Sequence, residues 1–175
     1  MANFFALIAH HDQSNRDNFY LSRQLVNRTL SIGWGEVNPI GSSPSKIKQD
    51  IKHFYPNAEG TNNPWNGEES LPVFCSLGAG DLVFVRGSAK ILDIAIVTGP
   101  VHYSYGSGHD DNGFDYCTMV PFTPLLDNAQ AGIFTRNIPD ENYTNILEER
   151  GRRLVMRRIQ EDDARVLIKS IFELL

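Results

Sequence analysis

The stretch from Gly78 to Pro100 constrains the fold more than any other part of the chain. Gly78-Ala79-Gly80-Asp81 is a turn signal directly ahead of Leu82-Val83-Phe84-Val85-Arg86-Gly87, an apolar run rich in valine. Ile91 to Thr98 has the same character, and Gly99-Pro100 closes it. Only Gly87-Ser88-Ala89-Lys90 joins the two runs, so they should fold back on each other as an antiparallel hairpin. A lone hairpin is marginal in water, so the remaining elements must supply further strands and a cover.

Those elements can be read in order. Phe4 to Ala9 is nearly all apolar and reads as a buried strand. Asn15 to Thr29 reads as a helix, with Phe19, Leu21, Leu25 and Val26 as its apolar residues. Leu30-Ser31-Ile32-Gly33-Trp34-Gly35 is a short strand running into a loop. Ser43 is placed to cap a helix that has Pro44 in its first turn and Ile47, Ile51, Phe54 and Tyr55 on its apolar face. Pro56-Asn57 ends it, and residues 57–66 are polar and read as a loop. Leu71 to Leu77 is either a short helix or an extended segment. Beyond the hairpin, Tyr103 to Gly113 reads as a loop, Phe114 to Phe122 as a strand, and Arg152 to Ile159 as a last short strand. Glu161 to Leu175 is an amphipathic helix with Ala164, Leu167, Ile168, Ile171 and Phe172 on one face and three acids in its first turn. The order implies an α+β fold: a small, curved, partly open barrel with helices packed outside, forming one domain over residues 1–175.

Composition narrows the function. A chain of 175 residues with 41% apolar and 21% charged residues can bury a proper core and is not a disordered tract. Its net charge of −5 excludes a basic protein that coats nucleic acid by bulk electrostatics, but leaves room for a local patch or a pocket. Cys75 and Cys117 are too few for a four-ligand zinc site. With no basic leader and a first apolar run too short to span a bilayer, the expected setting is the reducing cytoplasm, away from membranes. His10-His11-Asp12, and His102 with His109-Asp110-Asp111, lack metal-ligand spacing; neither a nucleophile elbow nor a phosphate loop occurs. Cys75 reads as a buried thiol rather than the partner of His53 in catalysis. No cofactor, no metal and no catalytic residue are expected.

Three segments, taken together, resemble one superfamily. Leu30 to Trp34, the helix Lys46 to Phe54 ending in Tyr55-Pro56, and the hairpin from Gly80-Asp81-Leu82-Val83 to Gly99-Pro100-Val101-His102-Tyr103 are similar to PUA-like domains of the EVE type found in bacterial restriction systems. The hairpin and the C-terminal helix also resemble those of YTH domains, a eukaryotic branch of that superfamily. The resemblance implies a partly open barrel with an aromatic-lined pocket in which a modified base, flipped from its strand, is sandwiched. It also implies that Trp34 matches a cage tryptophan, and that a second cage aromatic comes from the loop after the hairpin. Here that loop offers Tyr103, Tyr105 and His109, and no tryptophan.

The candidate base-binding residues are therefore Trp34, Trp65, Tyr103, Tyr105, Ser31 and Asn63. Each has an ordinary alternative. Trp34 is a stacking wall or a core residue at a barrel end; Trp65 covers the pocket or tucks against its helix. Tyr103 faces the base or packs with its hydroxyl bonded to backbone. Ser31 and Asn63 meet a base edge or belong to strand edge and loop.

Phosphate candidates are Arg86 at the hairpin tip and Arg153 and Arg157, which belong to a cluster of five arginines between Arg150 and Arg158. That cluster either meets phosphate or pairs with neighbouring acids. The expected partner is nucleic acid with a modified base, DNA ahead of RNA, together with a nuclease or motor subunit. The competing readings are a nucleoside-like hydrolase of the ASCH branch, which needs a clustered Lys, Glu and Thr or Tyr, and a protein-interaction domain.

Overall fold

A computed structural model of the chain describes residues 2–9, 16–56, 64–87, 91–106, 116–126, 146 and 154–173. In chain order the elements are β1 (Phe4–Ile8), α1 (Arg16–Phe19), a π-helical turn (Tyr20–Gln24), α2 (Leu25–Asn27), β2 (Thr29–Ile32), α3 (Pro44–Phe54) and α4 (Pro64–Cys75). Then follow β3 (Leu82–Arg86), β4 (Ile91–Val97), β5 (His102–Tyr103), β6 (Thr118–Pro124), β7 (Met156–Ile159) and α5 (Glu161–Phe172).

The strands form one mixed sheet in the order β2-β6-β4-β3-β1-β7, with β5 also paired to β6. It curls into a half-barrel with helices packed outside, the α+β architecture expected from the element order. The expected hairpin is β3–β4, antiparallel, with a register shift between Val85 and Arg86. β1 lies parallel to β3 and antiparallel to β7. β4 pairs with the far end of β6 and β5 with its near end, so the two are nearly one strand, interrupted at Gly99-Pro100. Thr98 N bridges the gap to Pro121 O at 3.0 Å.

Alternation along the central strands divides the core. Phe5, Leu7, Val83 and Val85 point into a cluster with Ile47 and Ile51 of α3 and Leu71 and Phe74 of α4. Ala6, Phe84 and Ile94 point the other way, onto Ala164, Leu167 and Ile171 of α5. Strands covered on both faces read as continuous apolar runs, which is why β1 and β3 carry no polar alternation.

Local chemistry fixes the ends. Ser43 Oγ accepts from Lys46 N at 3.2 Å with Pro44 in the first turn of α3. Replacing Ser43 with alanine should cost about 1 kcal/mol, read from the urea midpoint. Asp81 is buried at the start of β3. Its Oδ1 accepts from Asn3 N (2.9 Å) and Nδ2 (3.0 Å), and its Oδ2 from Gly78 N (2.9 Å), which ties the turn to the chain entering β1. A helical side chain also sits on each outer strand: Gln24 Nε2 donates to Ser31 O of β2 at 3.1 Å, and Met156 N of β7 donates to Ser70 Oγ of α4 at 3.2 Å.

Several expectations are corrected. Leu21 and Val26 are exposed rather than core, because the π turn breaks the 3.6-residue register and brings Tyr20 and Gln24 inward instead. Phe54 is 47% exposed, and Tyr55 rather than Phe54 turns toward the core. Phe172 is likewise exposed at the end of α5. Residues 64–66, expected in a loop, open α4, and Leu71 belongs to that helix. Tyr103, expected to open a loop, instead ends the short strand β5, His102–Tyr103. Cys75 and Cys117 are both free thiols. Burial pushes the Cys75 thiol up to about 11, which leaves it protonated at neutral pH and a poor nucleophile.

Candidate base-binding site around Trp34

β2 ends at Ile32, and the chain then turns through Gly33-Trp34-Gly35. Trp34 occupies the left-handed region at φ 66°, a conformation that a bulky residue adopts only when its surroundings hold it there. The glycines on either side remove the Cβ groups that would crowd such a turn.

Four contacts hold the loop. Val37 N donates to Trp34 O at 3.0 Å, closing the turn. The Tyr103 hydroxyl of β5 donates to Gly35 O at 2.6 Å. Glu36 N donates to the Tyr55 hydroxyl, at the C-terminal end of α3, at 3.1 Å. Gly67 of α4 lies directly against the indole: a Cβ built there would stand 2.6 Å from Cε2 and 2.7 Å from Nε1 of Trp34. The ring is half-buried, packed on the edge of the main core cluster. A flat aromatic is thus fixed in one orientation by β5, α3 and α4 together.

Gly67 was not among the candidates, although a signal for it exists. A glycine inside a helix costs about 1 kcal/mol relative to alanine, so it implies a close approach by something else. Gly67→Ala should therefore reverse the usual helical gain. A loss of about 2 kcal/mol in urea unfolding is expected, from overpacking against the indole, with a shift in tryptophan emission.

The other candidates fall in different places. Tyr103 spends its hydroxyl on the Trp34 loop and acts as a brace. Tyr105, in the turn after β5, is 67% exposed. Ser31 is set apart by strand alternation. In the β2–β6–β5 ladder it lines up with Met119 and His102, whereas Ile32 lines up with Thr118 and Tyr103. Ser31 therefore faces away from the side that carries Tyr103. Trp65 is in the first turn of α4. The Trp65 side chain, Asn63, His109 and Arg153 lie outside the described residues.

Two arginines do not present themselves to a passing strand. Arg86 is 3% exposed at the end of β3, because it is still paired on both sides, with Ile91 of β4 and Ile8 of β1, rather than standing at a free hairpin tip. Arg157 is half-buried, with Nη2 donating to Ile146 O. Arg158 is exposed, and its Nη2 donates to Asn3 Oδ1. Near the site, Lys52 of α3 lies 3.6 Å from the carboxylate of Glu68 in α4, the residue next to Gly67.

Among the described residues, no cluster of three or more His, Cys, Asp or Glu is placed to hold a metal ion, and no helix is long and apolar enough to cross a membrane.

No protein-family model matches the sequence, and no curated protein matches it. Among solved structures, the chain is similar to the MmI1 YTH domain, with a TM-score of 0.48 at 9% identity over 98% of this chain and 96% of that one. It is also similar to Rpa0253 from Rhodopseudomonas palustris, with a TM-score of 0.45 at 13% identity over 99% of this chain and 96% of that one.

Proposed function

We propose that this chain is a non-catalytic reader of a modified base, of the PUA-like, EVE type that its motif order resembles, acting in a restriction or defence setting. The observation that carries the reading is Trp34: a bulky residue in a left-handed turn, half-buried, with its ring fixed by the backbone of Gly67. A core tryptophan needs only burial, which a relaxed backbone provides. Holding an indole in a strained turn between two glycines makes sense when the ring must meet a flat ligand in one orientation.

The mechanism needs no bond chemistry. A base leaves its stack and lies on the open side of the indole, gaining about 1–3 kcal/mol. Tyr105 and His109, from the chain after β5, together with Trp65 close the cage, and polar groups there satisfy the base edge. An added methyl fills apolar space without adding charge, so its loss leaves a gap. Because Arg86 and Arg157 are turned inward, phosphate contact falls to Arg153 and to Lys48 on the exposed side of α3. Few such contacts, in a chain of net charge −5, imply a shallow dependence on salt.

The test is binding of short DNA and RNA strands with and without 5-methylcytosine or 6-methyladenine. A modified strand should bind at least about tenfold more tightly than its unmodified counterpart. Equal affinity throughout, or no binding to any strand, overturns the reading.

A further inference from the structure

We infer that Gln24 and Ser31 form a second ligand site, one that takes the edge of a neutral amide, an N–H beside a C=O. Both side chains line a cavity of about 620 Å³ where residues 16–27 meet the β2–β6–β5 ladder, within the size range of small-molecule pockets. Ser31 lies on the side of that ladder opposite Tyr103, and neither Trp34 nor Tyr103 lines the cavity.

Gln24 is 2% exposed, brought inward by the π turn. Ser31 O can only accept, so the end of the Gln24 amide that lies 3.1 Å from it is Nε2. Oε1 is thereby fixed as the other end, buried and receiving no hydrogen bond. A buried carbonyl oxygen left without a donor is costly, and a ligand N–H would remove that cost.

The same amide sets the role of the Ser31 hydroxyl. Nε2 lies 3.2 Å from Ser31 Oγ and can only donate, so Oγ accepts from it. The hydroxyl proton remains to be given, and among the described residues no acceptor takes it. Oε1 and Oγ flank the one Nε2, so a free acceptor and a free donor stand side by side. A carboxamide or a lactam carries the complement on neighbouring atoms: its N–H meets Gln24 Oε1 and its C=O meets the Ser31 hydroxyl. A carboxylate offers two acceptors and sets one of them against Oε1. An ammonium offers no acceptor to the Ser31 proton. A site whose buried polar groups are left unpaired by the wrong ligand rejects close isosteres strongly. Met119, beside Ser31 in the ladder, also lines the cavity and gives the body of the ligand an apolar contact. Two sources carry this edge: a free small amide, and the lactam edge of a base in a strand.

The experiment uses the Trp34→Ala chain and follows the backbone amides of Ser31 and Met119 and the side-chain amide of Gln24 by NMR. The probes are benzamide, benzoate, benzylamine, uridine and a short oligouridine. Benzamide, uridine or oligouridine should shift all three signals saturably, with benzoate and benzylamine at least about tenfold weaker. A response to benzamide or uridine marks a site for free amides; a response to oligouridine alone marks the strand as the source. Ser31→Ala, made in the same chain, removes the donor, keeps Oε1, and should lower the affinity about tenfold, to the level of benzylamine. If benzoate or benzylamine binds as tightly as the amides, if Ser31→Ala leaves the affinity unchanged, or if no probe shifts these signals, the inference falls. With Trp34 replaced throughout, the outcome does not depend on the reading of the Trp34 site.

Discussion

Trp34→Ala should lower affinity for the preferred modified strand roughly thirtyfold, corresponding to the loss of about 2 kcal/mol of stacking. It should also erase the difference between modified and unmodified strands, because the methyl is sensed against the same wall. The fold should survive, since the ring sits at the margin of the core rather than inside it. Circular dichroism and an unchanged urea slope would establish that. Trp34→Phe provides the control: it keeps a flat face and should retain most of the discrimination. If Trp34→Ala binds as well as wild type, Trp34 is a structural residue and the site must be sought elsewhere.

The second large effect lies at the opposite extreme of burial. Asp93 of β4 is fully buried, and its Oδ1 accepts from three backbone amides: Ile94 N at 2.7 Å, Leu126 N at 3.0 Å and Leu125 N at 3.2 Å. Its Oδ2 accepts from the Tyr20 hydroxyl at 2.5 Å. One carboxylate thus fastens the π turn, β4 and the chain leaving β6. Asp93→Ala would leave three buried donors, the Tyr20 hydroxyl and the Ile94 and Leu126 amides, without an acceptor, since Leu125 N also donates to Ile94 O at 2.9 Å; it should cost about 4 kcal/mol, enough to leave much of the chain unfolded. Asp93→Asn keeps an acceptor for the three amides and should cost less than half of that.

The carboxyl also has a pH signature. Burial raises its pKa, and the hydrogen bonds from Tyr20 and the three amides only partly oppose that. Burial, followed by the Asp93 charge, holds the Tyr20 phenol well above its usual range. A carboxyl whose folded pKa lies above its unfolded value, near 3.9, contributes stability below that value and loses it as pH rises through the folded pKa. Wild-type stability relative to Asp93→Asn should therefore be greatest in acid and decline as pH rises from about 4, then level off. A difference that grows with pH would show that the hydrogen bonds outweigh burial.

Much of the fold is legible in the sequence because local signals agree with tertiary demand. The hairpin, the Ser43 cap and the Ile47/Ile51 face of α3 are examples. The π turn is not legible, because apolar periodicity presumes an α-helical register and the tertiary bond between Tyr20 and Asp93 lies outside any local window. The site divides along the same line. Trp34 is visible through its glycines, whereas Gly67 matters only because α4 lies against the indole. The separation of Ser31 from Tyr103 follows from the parity of a strand, but only once β6 is known to lie between β2 and β5. Asp93 looks like a polar break in an apolar strand until its donors are known.

A curled, unclosed sheet leaves its outer strands, β2 and β7, as natural templates for a foreign strand, the usual route to swapped dimers and fibres. Both of these outer strands are blunted at the point where such pairing would start. An intruder on β2 would have to displace the Gln24 amide from Ser31 O, and one on β7 would have to displace Ser70 from Met156 N. Both of those residues are buried, so neither can swing aside without opening its helix. The half-barrel can therefore stay open as a shape while its two outer strands resist pairing with a foreign strand, which lets a small domain of this kind keep a cleft.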